Sequence, residues 1–303
     1  MNILITGATG FIGRQLVRRL QQDHHNIRVL SRNGMRANEA LGLTAYEWDC
    51  ATQDVPEEAL RDCQIIINLM GENLGAGRWT NARKHEIYAS RILSTRKLVA
   101  AAPDNLQAFV CGSAIGIYPG KNDDWYDESY SVPGQLGFMQ TICHDWETEA
   151  ARIENRGVRR VSIRTGVVLG HGGMLQKLLP LFKIGLGGPI GNGRQWLPWI
   201  HIDDIVSVYI EAALNAGYRG AINAVSPNPV RYREFATALG KALHRPAFFP
   251  TPAIILKLVL GEAAALALHS YRIAPQRLLE EYHYKFKFDD LTAALTDLLD
   301  KND

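Results

Sequence analysis

The chain has 303 residues, with 33 Lys and Arg against 31 Asp and Glu and 47% hydrophobic residues. That balance excludes disorder and fibrous or low-complexity classes, and it describes a globular chain large enough for one big core or two modest ones. A formal net charge of +2, with no dense Lys/Arg stripe, argues against a nucleic-acid partner, because phosphate binding leaves a basic excess.

The chain begins Met1-Asn2-Ile3-Leu4-Ile5-Thr6 and runs straight into a glycine-rich turn. No basic segment, apolar run of signal-peptide length or small-residue cleavage site precedes it, so a cytoplasmic location is expected. Short apolar or β-branched runs at 3–6, 27–31, 45–48, 65–69, 108–111 and 160–163 read as buried parallel strands. Between them, 11–22, 80–102 and 134–155 carry helical patterns, for example Tyr88, Ile92, Thr95 and Val99. Strands alternating with helices predict a doubly wound sheet.

The pattern changes after Gly166. A glycine-rich loop at 185–194 is followed by a helix from about Asp203, a strand near 221–225 and an almost wholly helical tail from Tyr232. Within the tail, 253–268 is the most apolar stretch. Lys257, Gly261 and Glu262 interrupt it, so it falls short of the roughly 20 apolar residues a membrane span needs and is expected as buried helix. The fold class is therefore α/β, a Rossmann-type doubly wound parallel sheet with a smaller, mostly helical C-terminal lobe on the substrate side. Residues 1–170 and 200–230 form the sheet domain, and 171–199 with 231–303 form the lobe. No repeat or Ser/Pro-rich linker separates them, which predicts one packed unit. Cys50, Cys63, Cys111 and Cys143 fit neither zinc-ligand nor disulfide spacing and read as reduced core thiols. The histidines show no ligand grouping, so no metal is expected.

The strongest chemical signal is Thr6-Gly7-Ala8-Thr9-Gly10-Phe11-Ile12-Gly13, where the first strand turns into the first helix. Glycine there permits a left-handed turn and lets backbone amides approach a pyrophosphate, whose charge meets the helix N-terminus. Gly7, Thr9, Gly10, Phe11, Ile12 and Gly13 are the candidate anchor; the alternative is a tight turn without ligand. At the end of the second strand stands Ser31-Arg32-Asn33, with Arg32 where an NAD-selective fold places an acid. A guanidinium forked onto a 2′-phosphate contributes roughly 1.5–3 kcal/mol and points to NADP. Asp49, after the third strand, either meets the adenine edge or caps a turn.

These segments, with Asn68-Leu69-Met70-Gly71-Glu72, Arg164-Thr165-Gly166-Val167-Val168-Leu169-Gly170 and Trp199-Ile200-His201-Ile202-Asp203-Asp204, resemble an extended (atypical) short-chain dehydrogenase/reductase. The glycine stretch at 185–191 and Pro275-Gln276-Arg277 narrow the resemblance to epimerase-family proteins of unassigned activity. The resemblance covers nearly the whole chain. It implies that Leu69, Met70 and Gly71 line the cofactor, that Glu86 and Arg91 stand on a helix beside it, and that Val168 walls the nicotinamide. His201 is implied to order a loop, with Asp203 or Asp204 capping the next helix. Arg194 and Trp196, after the glycine loop, are implied to face the substrate cleft, with a solvated arginine as the alternative. The resemblance also raises a homodimer paired through the helices at 80–102 and 134–155, as related enzymes often form, which the sequence leaves open.

The superfamily's chemistry uses a Tyr-x-x-x-Lys pair on the helix starting near 134, and here that pair is missing: the segment reads Phe138-Met139-Gln140-Thr141-Ile142-Cys143. A tyrosine of pKa about 10 is only about one part in a thousand ionised at pH 7, a deficit of roughly 4 kcal/mol that the lysine normally corrects. Ser113 lies one residue from the usual Ser/Thr position. Tyr118 is the remaining acid or base, provided a cation such as Arg91 lowers its pKa; otherwise it is a packing tyrosine. Two functions follow. One is an NADP-dependent oxidoreductase or epimerase acting on a small carbonyl or nucleotide-sugar-like substrate of unknown identity. The other is a non-enzymatic NADP-binding regulatory or redox-sensing protein.

Overall fold

The protein is described here from a computed structural model, covering residues 1–121, 123–132 and 137–300. Seven strands, β1 (Asn2–Thr6), β2 (Asn26–Ser31), β3 (Thr44–Glu47), β4 (Ile65–Asn68), β5 (Ala108–Ala114), β6 (Arg159–Thr165) and β7 (Gly220–Ala224), form one parallel sheet. Its order is β7-β6-β5-β4-β1-β2-β3, so the winding direction reverses between β1 and β4. Helices cover both faces: α1 (Phe11–Gln22), α2 (Gly34–Leu41), α3 (Asn81–Ala100), α4 (Phe138–Ala151), α5 (Gly173–Lys183) and α6 (Ile202–Leu214). Gly134, where the fourth of these was expected to begin, lies outside the described residues.

Strand side chains alternate between faces, and the cores follow that period of two. Ile3, Ile5, Ile65, Ile67, Ala108 and Val110 pack in one core with Leu16, Val17 and Leu20 of α1 and Ile205, Val208 and Tyr209 of α6. Leu4, Ile66, Phe109 and Cys111 point the other way, onto Leu98 and Val99 of α3 and Trp146 and Ala150 of α4. Burial on both faces makes these strands continuous apolar runs in sequence. All four cysteines are free and buried. Burial pushes the Cys63 thiol up to about 11 and those of Cys111 and Cys143 up to about 12, so they stay protonated near neutrality.

The C-terminal lobe departs from expectation in two ways. It is less helical: α7 (Tyr232–Ala242), α8 (Ala253–Leu260) with the helical turns Gly261–Ala264 and Ala265–Leu268 behind it, a single turn at Gln276–Glu280 and α9 (Leu291–Asp300) are joined by non-helical segments. Two short pairings stitch it to the rest, Val230–Arg231 with Trp196–Leu197, and Arg272–Ile273 with Trp125–Tyr126. The stretch 253–268 is also not buried helix. No residue of α8 is buried, and Ile254, Leu258 and Val259 are 68%, 70% and 61% exposed. Apolarity alone predicts burial only where a partner surface exists, and α8 lies at the outside of the lobe. No exposed large apolar side chain lies on α3 or α4, the helices expected to pair subunits.

The lobe is locked to the sheet by Asp204. Its carboxylate, at the start of α6, accepts the backbone N–H of Lys287 at 2.7 Å and of Phe288 at 3.0 Å, and the Tyr284 hydroxyl at 3.2 Å. His201 caps α6 by accepting the Asp203 amide at 3.1 Å, and its ring lies 4.0 Å from Phe288. Because Asp204 is 1% exposed, Asp204→Ala leaves buried donors unmet. It should lower unfolding free energy by about 2 kcal/mol or more, measured by urea denaturation; a loss under about 0.5 kcal/mol would show that the lobe holds without it.

Candidate functional site

The three glycines of the turn have different physical reasons. Gly7 has φ +68°, and a Cβ there would stand 2.7 Å from the Leu69 carbonyl oxygen, because β1 and the loop after β4 nearly touch. At Gly13 a Cβ would sit 2.3 Å from the Gly7 oxygen, so this glycine lets α1 seat on the turn. Gly10 differs: it is exposed, the only contact for a Cβ is the Gly7 oxygen at 3.1 Å, and as N-cap of α1 it offers no side-chain cap. The amides of the first helical turn thus face an open surface with no acidic side chain in that turn, the arrangement that accepts an anion. Thr9 is exposed, and its carbonyl accepts Arg14 Nε at 2.8 Å. The Phe11 ring covers the glycines at 170, 172 and 173, and Ile12 packs on the main core.

Along the crevice, Ser31 Oγ accepts the Asn33 amide at 3.3 Å, and the Arg32 side chain is 76% exposed, 3.8 Å from Glu72. Burial would raise the Glu72 carboxyl, but Arg83, with a smaller contribution from Arg32, holds it below the usual range. Asp49 accepts the Ala51 amide at 2.9 Å, the turn-capping role. Leu69 backs Gly7, and the Met70 amide donates to Thr6 Oγ1 and Asn68 Oδ1, each at 3.2 Å. Arg91 reaches Gly71: a Cβ there would lie 2.9 Å from its guanidinium carbon. The Arg91 residue is 9% exposed, and the guanidinium donates to the carbonyls of Ile87 and Glu72 at 3.0 Å. No ion pair of Arg91 occurs among the described residues, and burial pulls its pKa down to about 10. It is a buried cation in need of an anion. Glu86 is 61% exposed and pairs with Arg83 at 3.1 Å, and Arg83 in turn pairs with Glu72 at 2.9 Å.

The proposed catalytic pair is placed elsewhere in the chemistry. Tyr118 is 1% exposed, with its hydroxyl 2.7 Å from Asn223 Oδ1 and accepting from Arg164 at 3.0 Å. Arg164 in turn forms a fork with Glu147 at 2.8 and 2.9 Å, and Ser113 Oγ donates to Glu147 Oε1 at 2.7 Å. The cation beside Tyr118 is therefore Arg164 rather than Arg91. Burial pushes the phenol up, and Arg164 offsets that only in part. The expectation of a depressed Tyr118 pKa is corrected: Tyr118 and Ser113 belong to a buried network that holds β5, β6, β7 and α4 together.

What opens at the strand ends is a chamber of about 280 Å³. Ala114 and Gly116 at the end of β5, Met139 of α4, Thr165 to Val167 at the end of β6, and Met174 of α5 form one side; Trp196, Tyr232, residues 265–267, His269 and Tyr271 form the other. Val167, and not the neighbouring Val168, is the valine on this wall. Trp196 faces the chamber, whereas Arg194 lies in a separate polar cleft of about 550 Å³ with Asp123, Arg231 and Arg233, so the two expected substrate residues are split. Arg231 stacks 3.9 Å from the Trp196 ring centre and pairs with Asp123 at 2.8 Å. Sequence reasoning missed Met139, Met174, Tyr232, His269 and Tyr271, which come from four separate segments with no shared local pattern.

Residues 3–224 match the NAD dependent epimerase/dehydratase family. The chain belongs to that family. Residues 251–298, which carry one wall of the chamber, match a domain of unknown function, DUF1731. The chain is 37% identical to the chloroplastic epimerase family protein SDR39U1 homolog of Arabidopsis thaliana, over 97% of this chain and 87% of that one. It is 35% identical to the epimerase family protein YfhF of Bacillus subtilis, over 99% and 98%. The crystal structure of human epimerase family protein SDR39U1 (isoform2) with NADPH superposes with a TM-score of 0.89 at 33% identity, covering 99% of each chain. The resemblance to an extended short-chain dehydrogenase/reductase of the epimerase family, and the Rossmann-type sheet, are thus borne out.

The glycine geometry makes a stability prediction. Gly7→Ala and Gly13→Ala should each lower the thermal midpoint clearly, because the added carbon meets backbone at 2.7 and 2.3 Å, while Gly10→Ala should shift it little. Melting curves of the three variants without ligand check this; equal losses at all three positions would contradict the distinction.

Proposed function

We propose that this chain binds NADP(H) and acts as an oxidoreductase or epimerase-like enzyme on a small carbonyl compound held in the chamber. The observation that carries this reading is the open glycine turn with Arg32 at the end of β2, in a chain superposing at 0.89 on a human relative solved with NADPH. The amides after Gly10 take the pyrophosphate, with Gly7, Thr9, Phe11, Ile12 and Gly13 shaping the cradle. Ser31 and Arg32 take the adenosine 2′-phosphate. Leu69, Met70 and Gly71 line the ribose side, and Arg91 supplies the buried positive charge there.

When bound, the reduced cofactor supplies a hydride for a carbonyl carbon while a proton goes to the oxygen, and its oxidised form allows the reverse. The chain's part is to exclude water and move the proton. With Tyr118 and Ser113 committed to Glu147 and Arg164, the pair that borders the chamber is His269 and Tyr271, whose Nδ1 and hydroxyl are 3.3 Å apart. Burial, with Lys121, holds His269 below the usual imidazole range, so it is neutral at pH 7. Burial likewise keeps Tyr271 protonated. The Tyr271 hydroxyl donates to the substrate oxygen, and His269, exposed on its other side, refills it.

The second reading, an NADP-binding protein without turnover, draws on the same commitment of Tyr118 and Ser113 to the buried network. Calorimetry tests the cofactor claim. NADPH should bind about 10-fold tighter than NADH, and Arg32→Asp should abolish the difference. Equal affinities in the unmodified protein would overturn it. Failure of every carbonyl class to oxidise bound NADPH would favour the second reading.

A further inference from the structure

Apolar exposure is concentrated on one side of the C-terminal lobe. Of the fifteen large apolar side chains exposed among the described residues, ten lie in 181–186 and 248–266. Besides those named on α8, Phe248 is 67% exposed and Ile184 66%. The two stretches are neighbours in space. The chain at 183–191 runs beside 245–251: Arg245 Nε donates to the Lys183 carbonyl at 2.9 Å, the Phe249 amide to that of Gly187 at 3.2 Å and the Thr251 amide to that of Pro189 at 2.8 Å. Ala253, which opens α8, has its Cβ 3.7 Å from where a Cβ on Gly191 would stand. On α8 itself, Ile254, Ile255, Leu258 and Val259 recur at the spacing of one helical face, with Lys257 at its edge. Single exposed apolar residues need no explanation, but adjoining segments that share them do.

The charge on these segments has one sign. From 171 to 202 and from 235 to 261 the chain contains no Asp or Glu, against 31 in the whole, while it keeps six Lys or Arg. Lys183, Arg245 and Lys257 are exposed and have no ion pair among the described residues. The carboxylates that border the two stretches are engaged: Asp203 pairs with Lys287 at 2.7 Å, Glu262 pairs with Lys84 at 2.5 Å, and Glu234 accepts the Arg231 amide at 2.7 Å.

A second copy of this chain suits such a surface poorly. A two-fold interface sets the patch against itself, cations facing cations with no carboxylate to answer them. Crossing a bilayer is also excluded for α8, whose eight residues extend about 12 Å, and no helix among the described residues is long and apolar enough to span one. Apolar side chains beside unanswered cations match the surface of an anionic bilayer: its acyl boundary takes the first and its headgroup phosphates the second.

We propose that this side of the lobe docks on an anionic lipid bilayer. α8 lies in the plane of the headgroups with Ile254, Ile255, Leu258 and Val259 inserted, and Lys183, Arg245 and Lys257 meet headgroup phosphates. The inference does not rest on the cofactor or substrate assignments. It does place the chamber, because Leu266 is 43% exposed and also lines that cavity, so docking brings one edge of the chamber wall close to lipid.

Flotation of the full chain with vesicles tests this, comparing phosphatidylcholine alone with phosphatidylcholine carrying about 30% phosphatidylglycerol. The parent protein should bind the anionic vesicles about 10-fold tighter than the neutral ones, and added salt should weaken that binding. Ile254→Ser combined with Leu258→Ser should reduce it about 10-fold or more, and Lys183→Glu combined with Lys257→Glu should remove the preference for anionic lipid. Because all four side chains are exposed, both variants should melt as the parent does. Met35→Ser, at an apolar residue of α2 that is 75% exposed, should leave vesicle binding unchanged. No flotation of the parent with anionic vesicles, equal binding to neutral and anionic vesicles, or binding that survives the Ile254 and Leu258 substitutions would overturn the proposal. So would a dimer, seen by sedimentation without lipid, that the same two substitutions dissociate, since a second copy would then occupy the face.

Discussion

Everything at this site depends on a buried hydrogen-bonded knot where the sheet reverses direction. Thr6 Oγ1 donates to Asn68 Oδ1 at 2.6 Å across the ends of β1 and β4, and both residues are fully buried. Asn68 Nδ2 donates to Thr95 Oγ1 on α3, and Trp146 Nε1 on α4 donates to the same hydroxyl, each at 2.9 Å. Five polar groups that would each be costly alone satisfy one another, so they fix the spacing of two strands and two helices. That spacing brings the Leu69 carbonyl against Gly7, which is why glycine is required there, and it leaves the crevice at the switch point open for a dinucleotide.

A second buried network lies on the other side of the crevice. Glu147, Arg164, Ser113 and Tyr118 hydrogen-bond among themselves, and the Tyr118 hydroxyl also meets Asn223 and the Asp127 carbonyl. A buried guanidinium without its carboxylate would cost several kcal/mol. The tyrosine and serine that stand nearest the superfamily's catalytic positions both hydrogen-bond within this network. The pair we propose to move the proton at the chamber, His269 and Tyr271, comes from the C-terminal lobe, which Asp204 ties to the sheet.

Much of this was legible in the sequence, and the limits have physical causes. The strands were legible because each is buried on both faces, so that Ile3 to Ile5 or Ile65 to Ile67 reads as an uninterrupted apolar run. The glycine turn was legible because its constraint is local. The error at 253–268 arose because an apolar helix looks the same in sequence whether or not a surface exists to cover it. The surroundings of Tyr118 were not legible because its partners, Asn223 and Arg164, are distant in sequence and only the fold brings them within 3.0 Å. Tyr232 carried no signal, since its place in the chamber wall is set only by the fold.

The central claim is that a dinucleotide anchored at the glycine turn extends its reactive end to the apolar chamber. Five methionines report on this, and NMR of their labelled methyl groups as NADPH is added is the most direct measurement. Met70 lies beside the turn, Met139 and Met174 line the chamber, and Met35 is 75% exposed on α2. The account predicts shifts at Met70, Met139 and Met174 together, with saturation at one NADPH per chain. Saturable shifts at Met70 without any at Met139 and Met174 would contradict it.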